Sequence, residues 1–520
     1  ALIAADARGR LDGGFSIQGL ALNGRMAGPE GQPARVSARR VTGRFGGVEG
    51  DVLLALAADS PALHIDMAEE RDLDLVMARL TADARIDDSW RVEGAFERGG
   101  LTDPTLPGGV SAIAGRWSAA PEGDRPVIRV SAGEAMLQAD AASDERPLFN
   151  PMRLVDVEAV LRDGEISAQG ALLLNTPTHQ LARFTAAHDI SEGAGRADIS
   201  APDIVFSEGL QPYDITELAR GVVENVRGPA SIDANAVWTR ETFQTGARVR
   251  LNGISLASAT IPVIENVRGE IVFDDLFAMT TAPGQEVRVG LLNPGVAVEN
   301  GRVRFQLLKD GAISIEQAEF GFASGILSMQ PEIITLGEDE TEILLTLRDV
   351  DASALIATLK IPDLQATGRI EGSFPLRLTR QNAFVNNGVL RAAGGGRIAY
   401  TGAAGEHTEG VTRVAFDALR DFRYEVLSLT LDGDLNGEII SDIEFTGENV
   451  GEPLDLSPIA SLPGVGRVTM TGVPFRFNVK VTAPFRSLAQ TAATIINPGS
   501  LIDPERLRQE EVDPEGEPPR

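Results

Sequence analysis

The chain has no cysteine. That excludes disulfides, thiolate nucleophiles and cysteine-ligated zinc. It suits a reducing compartment, and equally a Gram-negative periplasmic protein that builds enough core without staples, so it does not settle the compartment. Lysine is nearly missing too: Lys309, Lys360 and Lys480 are the only three. The 47 basic residues are therefore almost all arginine, as GC-rich coding in a bacterium produces, and they stand against 75 acidic ones for a net charge of −28. A surface of that sign repels phosphate backbones, which argues against nucleic-acid binding and against a polybasic membrane anchor. No apolar run reaches the ~18 residues of a transmembrane helix, and no signal-peptide core is present. The first residue is Ala1 rather than Met, so a removed N-terminal piece, with any targeting signal it carried, is expected.

The materials of catalysis are scarce as well. There is no Walker-type phosphate loop and no G-x-S-x-G elbow. His64, His179, His188 and His407 are scattered without ligand spacing, and no thiol can join them at a metal. Gly394-Gly395-Gly396 precedes Arg397-Ile398-Ala399-Tyr400, which reads as a strand, so a turn is the better account than a phosphate cradle. Asp349, Asp351 and Ser353 look like the opening of a calcium loop, but its glycine and distal glutamate are absent and helix capping is preferred. Glu338-Asp339-Glu340 reads as a solvated hairpin tip. A carboxylate pair for glycoside hydrolysis stays open among so many acids, although three Trp and three Tyr offer few sugar platforms. The expectation is a protein that is not an enzyme, with no catalytic residues, metal or cofactor.

What the sequence does have is alternation with a period of two. Val473, Phe475, Phe477, Val479 and Val481 are separated by Pro474, Arg476, Asn478 and Lys480. Ile370, Gly372, Phe374, Leu376 and Leu378 alternate with Arg369, Glu371, Ser373, Pro375 and Arg377. Val303, Phe305 and Leu307 alternate with Arg302, Arg304 and Gln306. Side chains of a strand point to opposite faces in turn, so each stretch has an oily and a wet side, the mark of antiparallel sheet with one face in water. Asp12-Gly13, Asn23-Gly24, Asp163-Gly164, Asn252-Gly253, Asn300-Gly301, Asp310-Gly311, Asn387-Gly388, Asp432-Gly433 and Asn436-Gly437 suit tight hairpins that need positive φ. A loose Gly-Arg-apolar repeat, as at Gly301-Arg302-Val303 and Gly368-Arg369-Ile370, has no fixed period. Helical signals are few. Asp214 with Glu217 as a capping box starts one, with Ile215, Leu218, Ala219 and Val222 on its face. Asp351 caps a second that carries Leu355, Ile356 and Leu359. Shorter ones are expected at Ala415–Phe422 and Ser487–Ile496. From Asp503 the chain is rich in Pro and Glu and is read as disordered.

An amphipathic sheet must cover its oily face, with a second sheet, a lipid bilayer or a ligand. A membrane barrel would show aromatic girdles, for which Trp90, Trp117, Trp238, Tyr213, Tyr400 and Tyr424 are too few and too scattered. A packed sandwich ends sooner than this pattern does. The fold class expected is mainly β: a long, twisted antiparallel sheet curved into an open hydrophobic groove, with a few short helices. At ~12 residues per strand and ~4.8 Å between strands it would reach on the order of 150–200 Å. Val303, Phe305, Leu307, Ile370, Phe374, Leu376, Leu378, Val473, Phe475, Phe477 and Val479 are the candidate lining. Arg302, Arg304, Arg369, Arg377, Arg476 and Lys480 are expected outside.

From about Tyr213 to Pro498 the chain resembles the C-terminal part of the YdbH family, relatives of TamB and the AsmA-like proteins. The resemblance rests on pieces in order. They are Gly269-Glu270-Ile271-Val272-Phe273-Asp274-Asp275-Leu276, Thr280-Thr281-Ala282-Pro283-Gly284-Gln285, Asn293-Pro294-Gly295 and Asn300-Gly301-Arg302-Val303-Arg304-Phe305. After these come Thr367-Gly368-Arg369-Ile370-Glu371-Gly372-Ser373-Phe374-Pro375-Leu376, Asn387-Gly388-Val389-Leu390, Gly396-Arg397-Ile398-Ala399-Tyr400, Ala418-Leu419-Arg420-Asp421-Phe422-Arg423-Tyr424 and Gly472-Val473-Pro474-Phe475. Residues 1–210 share only the texture and are read as the N-terminal part of the groove, 211–502 as its YdbH-like C-terminal part, and 503–520 as the acidic tail. The resemblance implies a periplasmic protein anchored in the inner membrane by an N-terminal helix. It implies phospholipid movement between inner and outer membrane, and a small outer-membrane lipoprotein that adds strands at the C-terminal sheet edge, residues 472–482. The edge reading competes with a helix Ser487–Ile496 folded back over that strand. The function alternatives are a scaffold for outer-membrane or envelope assembly and a structural β-solenoid.

Overall fold

A computed structural model describes residues 2–5, 10–25, 33–67, 71–102, 108–139, 147–174, 180–220, 223–239, 241–257, 263–276, 278–293, 297–335, 340–359, 363–379, 383–403, 408–435, 437–457 and 468–484. Strands dominate, and 31 of them belong to one sheet. The strands whose partners are resolved pair antiparallel, as at Leu11–Arg25 with Pro33–Val48 and at Glu438–Asn449 with Pro474–Pro484. The expected mainly-β antiparallel sheet with few short helices is what the chain forms; the described residues contain three α-helices. Contacts sort the chain into two units, Ala1–Ile254 with Glu270–Ala282, and Ser255–Gly269 with Pro283–Arg520.

In the first unit strands run long, 15 residues at Leu11–Arg25 and 16 at Pro33–Val48. Their registers line one face with apolar residues across twelve strands. One such row is Gly13, Phe45, Leu54, Ala84, Val92, Ala119, Ile128, Leu161, Ile166, His188, Gly195, Trp238. The neighbouring row on the opposite face includes Arg44, Asp83, Glu93, Ser118, Arg129, Ser167 and Arg196. Bulky rings sit over glycines of the next strand: Phe15 over Gly43, Phe184 over Gly170 and Trp238 over Gly195, so closely that a side-chain carbon there would meet the ring. Rings thus cover the backbone where a strand lacks a side chain.

The second unit repeats the plan with larger side chains. Phe320, Leu327, Leu347, Gly372, Leu390, Leu429, Ile443 and Val479 form one unbroken row over eight strands. Their neighbours Glu319, Ser328, Thr346, Ser373, Val389, Thr430, Asp442 and Lys480 form the wet row behind. Helix Ala352–Leu359 starts where Asp351 accepts the backbone N–H of Ser353 and Ala354 at 2.9 and 3.0 Å, as the capping reading required.

Three local expectations need correction. Six of the nine hairpin dipeptides lie inside strands: Asp12-Gly13 and Asn23-Gly24 in Leu11–Arg25, Asn252-Gly253 in Phe243–Ala257, Asn300-Gly301 in Val298–Leu307, Asn387-Gly388 in Ala383–Ala392, and Asp432-Gly433 in Phe422–Asp434. Asn300 and Asn387 have φ of 52° and 50° and sit where the register slips, as do Asp156 and Asp349 at 51° and 57°. A bulge needs the same left-handed residue as a hairpin turn, so the dipeptide alone cannot separate the two. The helix near Asp214 is only Pro212–Ile215, with Gln211 at its N-cap and Asp214 three residues on, because Thr216 returns to extended backbone before the short turn Glu217–Ala219. The helix expected at Ala415–Phe422 spans Gly410–Leu419, and Phe422 opens a strand. The expected helix Ser487–Ile496, the tail from Asp503, His179, His407 and Asp339 of the acidic tip lie outside the described residues.

Candidate functional site

The apolar face of the second unit is built from the residues that alternation singled out, together with several it missed. Val303 and Phe374 share a row with Val287, Ala318, Met329 and Leu345. Phe305 is buried and pairs with Gln285 and Ile315; Leu307 pairs with Ile313. Ile370 is buried among Leu347, Val350 and Leu390. Leu376 packs with Val385 and Ile439, and Leu378 lies against the same cluster. Along Pro474–Pro484 and the residue before it, Val473, Phe475, Phe477 and Val479 are half-buried, while Pro474, Arg476, Asn478 and Lys480 are exposed.

An aromatic cluster marks this last strand. The Phe477 ring stacks on Phe445 at 4.7 Å, meets Phe422 edge-on at 5.4 Å and stacks on Phe475 at 5.6 Å. Phe422 is fully enclosed, and Tyr424 beside it donates its hydroxyl hydrogen to the Thr367 carbonyl at 2.8 Å. Burial raises the Tyr424 pKa above its ordinary value, so the hydroxyl stays protonated. Missing from the candidate lining were Phe320, Leu327, Leu347, Leu390, Leu429 and Ile443. Alternation of Ile343, Leu345 and Leu347 continues at Val350 rather than at Asp349, because Asp349 is bulged.

Charges occupy the other side. Arg476 pairs with Glu444, Arg423 with Glu448, and Arg397 grips both carboxylate oxygens of Asp421 at 2.7 Å. Arg302 reaches Glu286 at 3.6 Å, Arg304 Glu316 at 3.8 Å, Arg369 Asp349 at 3.5 Å and Arg377 Glu340 at 3.6 Å. Exposed pairs of this kind each contribute about 0–1 kcal/mol. Their effect is to keep that face wet and to disfavour stacking by another apolar surface.

In the first unit the single titratable member of the apolar row is His188. Its ring stacks on Trp238 at 6.1 Å, and the Trp238 indole N–H donates to His188 Nδ1 at 3.2 Å. Since an indole nitrogen only donates, Nδ1 must be unprotonated and the ring neutral. Burial pushes the His188 pKa below its ordinary value, against the opposing pull of a backbone hydrogen bond at Ala194 and of nearby Asp189. The face therefore carries no fixed charge along that row.

No group of acidic or imidazole side chains among the described residues is arranged to hold a metal ion. No described helix is long and apolar enough to cross a membrane. The class of protein defined is a mainly-β one whose antiparallel sheet is oily on one side and wet on the other. A family model described as the intermembrane phospholipid transport protein YdbH matches residues 6–492, and the chain belongs to this YdbH-like family. The family is one of lipid transport proteins working between the membranes of the cell envelope. No curated protein and no solved structure matches the chain.

Proposed function

We propose that the apolar face is an open groove that holds the acyl chains of phospholipids while their headgroups stay in water, and that cargo passes along it without chemical change. The observation that carries this is the continuity of the apolar rows, twelve strands in the first unit and eight in the second. Each methylene removed from water gains about 0.8 kcal/mol, so a lining of Val, Leu, Ile and Phe retains tails without headgroup contacts. Val303, Phe305, Leu307, Ile370, Phe374, Leu376, Leu378, Val473, Phe475, Phe477 and Val479 belong to that lining in this reading. The working place in this reading is the periplasm, with attachment to the inner membrane as the family resemblance implies.

The edge of Pro474–Pro484 supports a second element of the reading. Among the described residues this strand pairs only with Glu438–Asn449, and an uncovered edge offers N–H and C=O groups for strand addition. A small outer-membrane lipoprotein docking on residues 472–482 is the partner this reading favours. Photocrosslinkers at Phe374 and Phe477, with mass spectrometry of co-purifying lipid, test the groove. Phospholipid adducts at both positions are expected; folded protein that yields none at either leaves the scaffold and solenoid alternatives standing instead. Paired cysteines on the edge strand and on candidate lipoproteins test the docking, and crosslinks that form only elsewhere would reject it.

A further inference from the structure

In the first unit the apolar face changes character along its strands. Five neighbouring strands show it: Met152–Arg162, Glu165–Leu174, Gln180–Asp189, Ala194–Phe206 and Glu224–Trp238. Toward one end of these strands Leu161, Ile166, His188 and Trp238 are half-buried, and so are Val157 and Phe184 four residues further in. Past the bulge at Asp156 the same face is buried. There the cross-strand pairs Leu172 with Ala182, Met152 with Leu174 and Ile204 with Ala230 are all closed off from water.

The cover is the connection between Phe206 and Glu224. It folds back over the buried pairs and sets Leu210 and Ile215 on them, with Phe149 and Phe206 alongside. This cover is pinned from two sides. Pairing of Ala194–Phe206 with the next strand ends at Phe206 and Gly228, so Val226 needs other partners for its backbone. Buried Gln211 supplies them. Its side-chain oxygen accepts the Val226 N–H at 2.9 Å, and its side-chain amide donates to the carbonyls of Val226 at 2.8 Å and Ser207 at 2.5 Å. One side chain thus stands in for a strand residue. Asn150 ties the far side, its backbone N–H donating to the Ile215 carbonyl at 2.8 Å and its side-chain amide to the Tyr213 carbonyl at 2.9 Å. At the opposite strand ends the connections are too short to fold back over the face. Two residues separate Met152–Arg162 from Glu165–Leu174, and four separate Gln180–Asp189 from Ala194–Phe206.

We propose that in the first unit acyl chains lie only on the half of the strands toward the Asp163-Gly164 turn, entering over that edge, and that segment 207–219 is a fixed wall closing the other half. This rests on the groove reading and gives the groove a side. Tails gain by lying against the apolar rows up to the wall. The polar headgroup, costly to bury, stays in water at the turns.

The test uses the full chain with photo-leucine in place of Leu161 or of Leu174, mixed with vesicles of phosphatidylethanolamine and phosphatidylglycerol. Lipid adducts are expected at Leu161 and several-fold fewer at Leu174, where internal crosslinks to residues 207–219 are expected instead. Gln211→Leu, which unpins the wall, is expected to weaken those internal crosslinks and raise lipid capture at Leu174 toward the Leu161 level. Asn150→Ala is expected to act in the same direction and serves if Gln211→Leu loses its strand signature in circular dichroism. Equal capture at the two positions in the unmodified chain overturns the wall and leaves the groove intact, as does capture at Leu174 alone. Lipid capture at Leu174 that stays low in a folded variant whose internal crosslinks are lost also overturns it. No capture at either position overturns the groove and the wall together.

Discussion

The two units solve one problem with different means. In the first, a single layer of long strands leaves its apolar face half-covered: Leu11, Val52 and Ile86, which share one row on it, are 49%, 38% and 49% exposed, and among the described residues of this unit Val127 is the one large side chain that is fully enclosed. In the second, Phe422, Tyr424 and Val350 are fully enclosed, because helices Ala352–Leu359 and Gly410–Leu419 add a second layer along part of the sheet. A lone sheet cannot bury its own face. Deep burial is not confined to the second unit, since Leu172, Leu174, Ala182, Ala201 and Ile204 close into a core cluster with Leu210 in the first.

The sharpest way to test this contrast is to remove a large ring from each unit. Phe422→Ala is expected to cost about 3–5 kcal/mol. Phe45→Ala, on the half-covered face of the first unit, is expected to cost about 1–2 kcal/mol. Urea unfolding followed by far-UV circular dichroism reads both, and equal costs would erase the distinction. Next in size is the bulge. Asn387→Val forces a β-branched residue to the positive φ of that site and is expected to cost about 1–3 kcal/mol, whereas Asn387→Gly is expected to be nearly neutral. The same pair of changes at Asp156 asks whether the bulges of the two units are equivalent.

A pH experiment addresses the first unit alone. The folded pKa of His188 lies below its ordinary value, so the unfolded chain takes up the proton first. Its contribution is full above the ordinary value near ~6.5 and is lost as pH falls from there through the folded pKa. Urea midpoints followed by tryptophan fluorescence are expected to fall between about pH 7.5 and pH 5, and less so in His188→Phe. An unchanged slope in that variant removes His188 as the cause. The smallest effect is expected on the wet face: Arg476→Ala changes stability by no more than about 1 kcal/mol, and a larger loss would show that the ion pairs hold the sheet.

Much of this is legible in the sequence. Strict alternation, as in Phe475, Phe477 and Val479, needs no tertiary information, and the capping by Asp351 is local chemistry. Three things were not legible. A bulge shifts the parity of a strand, so Val350 and Val385 are found only once the register at Asp349 and Asn387 is known. Cross-strand rows are a property of pairing, and Ala84 beside Val92 cannot be read from either strand alone. The pentapeptide Glu-Asn-Val-Arg-Gly occurs at 224–228 and again at 265–269, with Asn225 and Asn266 at φ 52° and 56° and Val226 and Val267 buried both times. A search for fixed periods passes over it because it recurs by strand geometry and not by spacing.

The bulges also set a rule for how such a sheet can change in length. Adding one residue to a strand exchanges its two sides from that point on, moving arginines inward and leucines outward. Adding two does not. A bulged asparagine or aspartate is a place where an odd residue has been absorbed without that exchange. Single-residue insertions and deletions among descendants of this chain should therefore gather at Asp156, Asn300, Asp349 and Asn387 or in the turns, and every other change within a strand should come in twos.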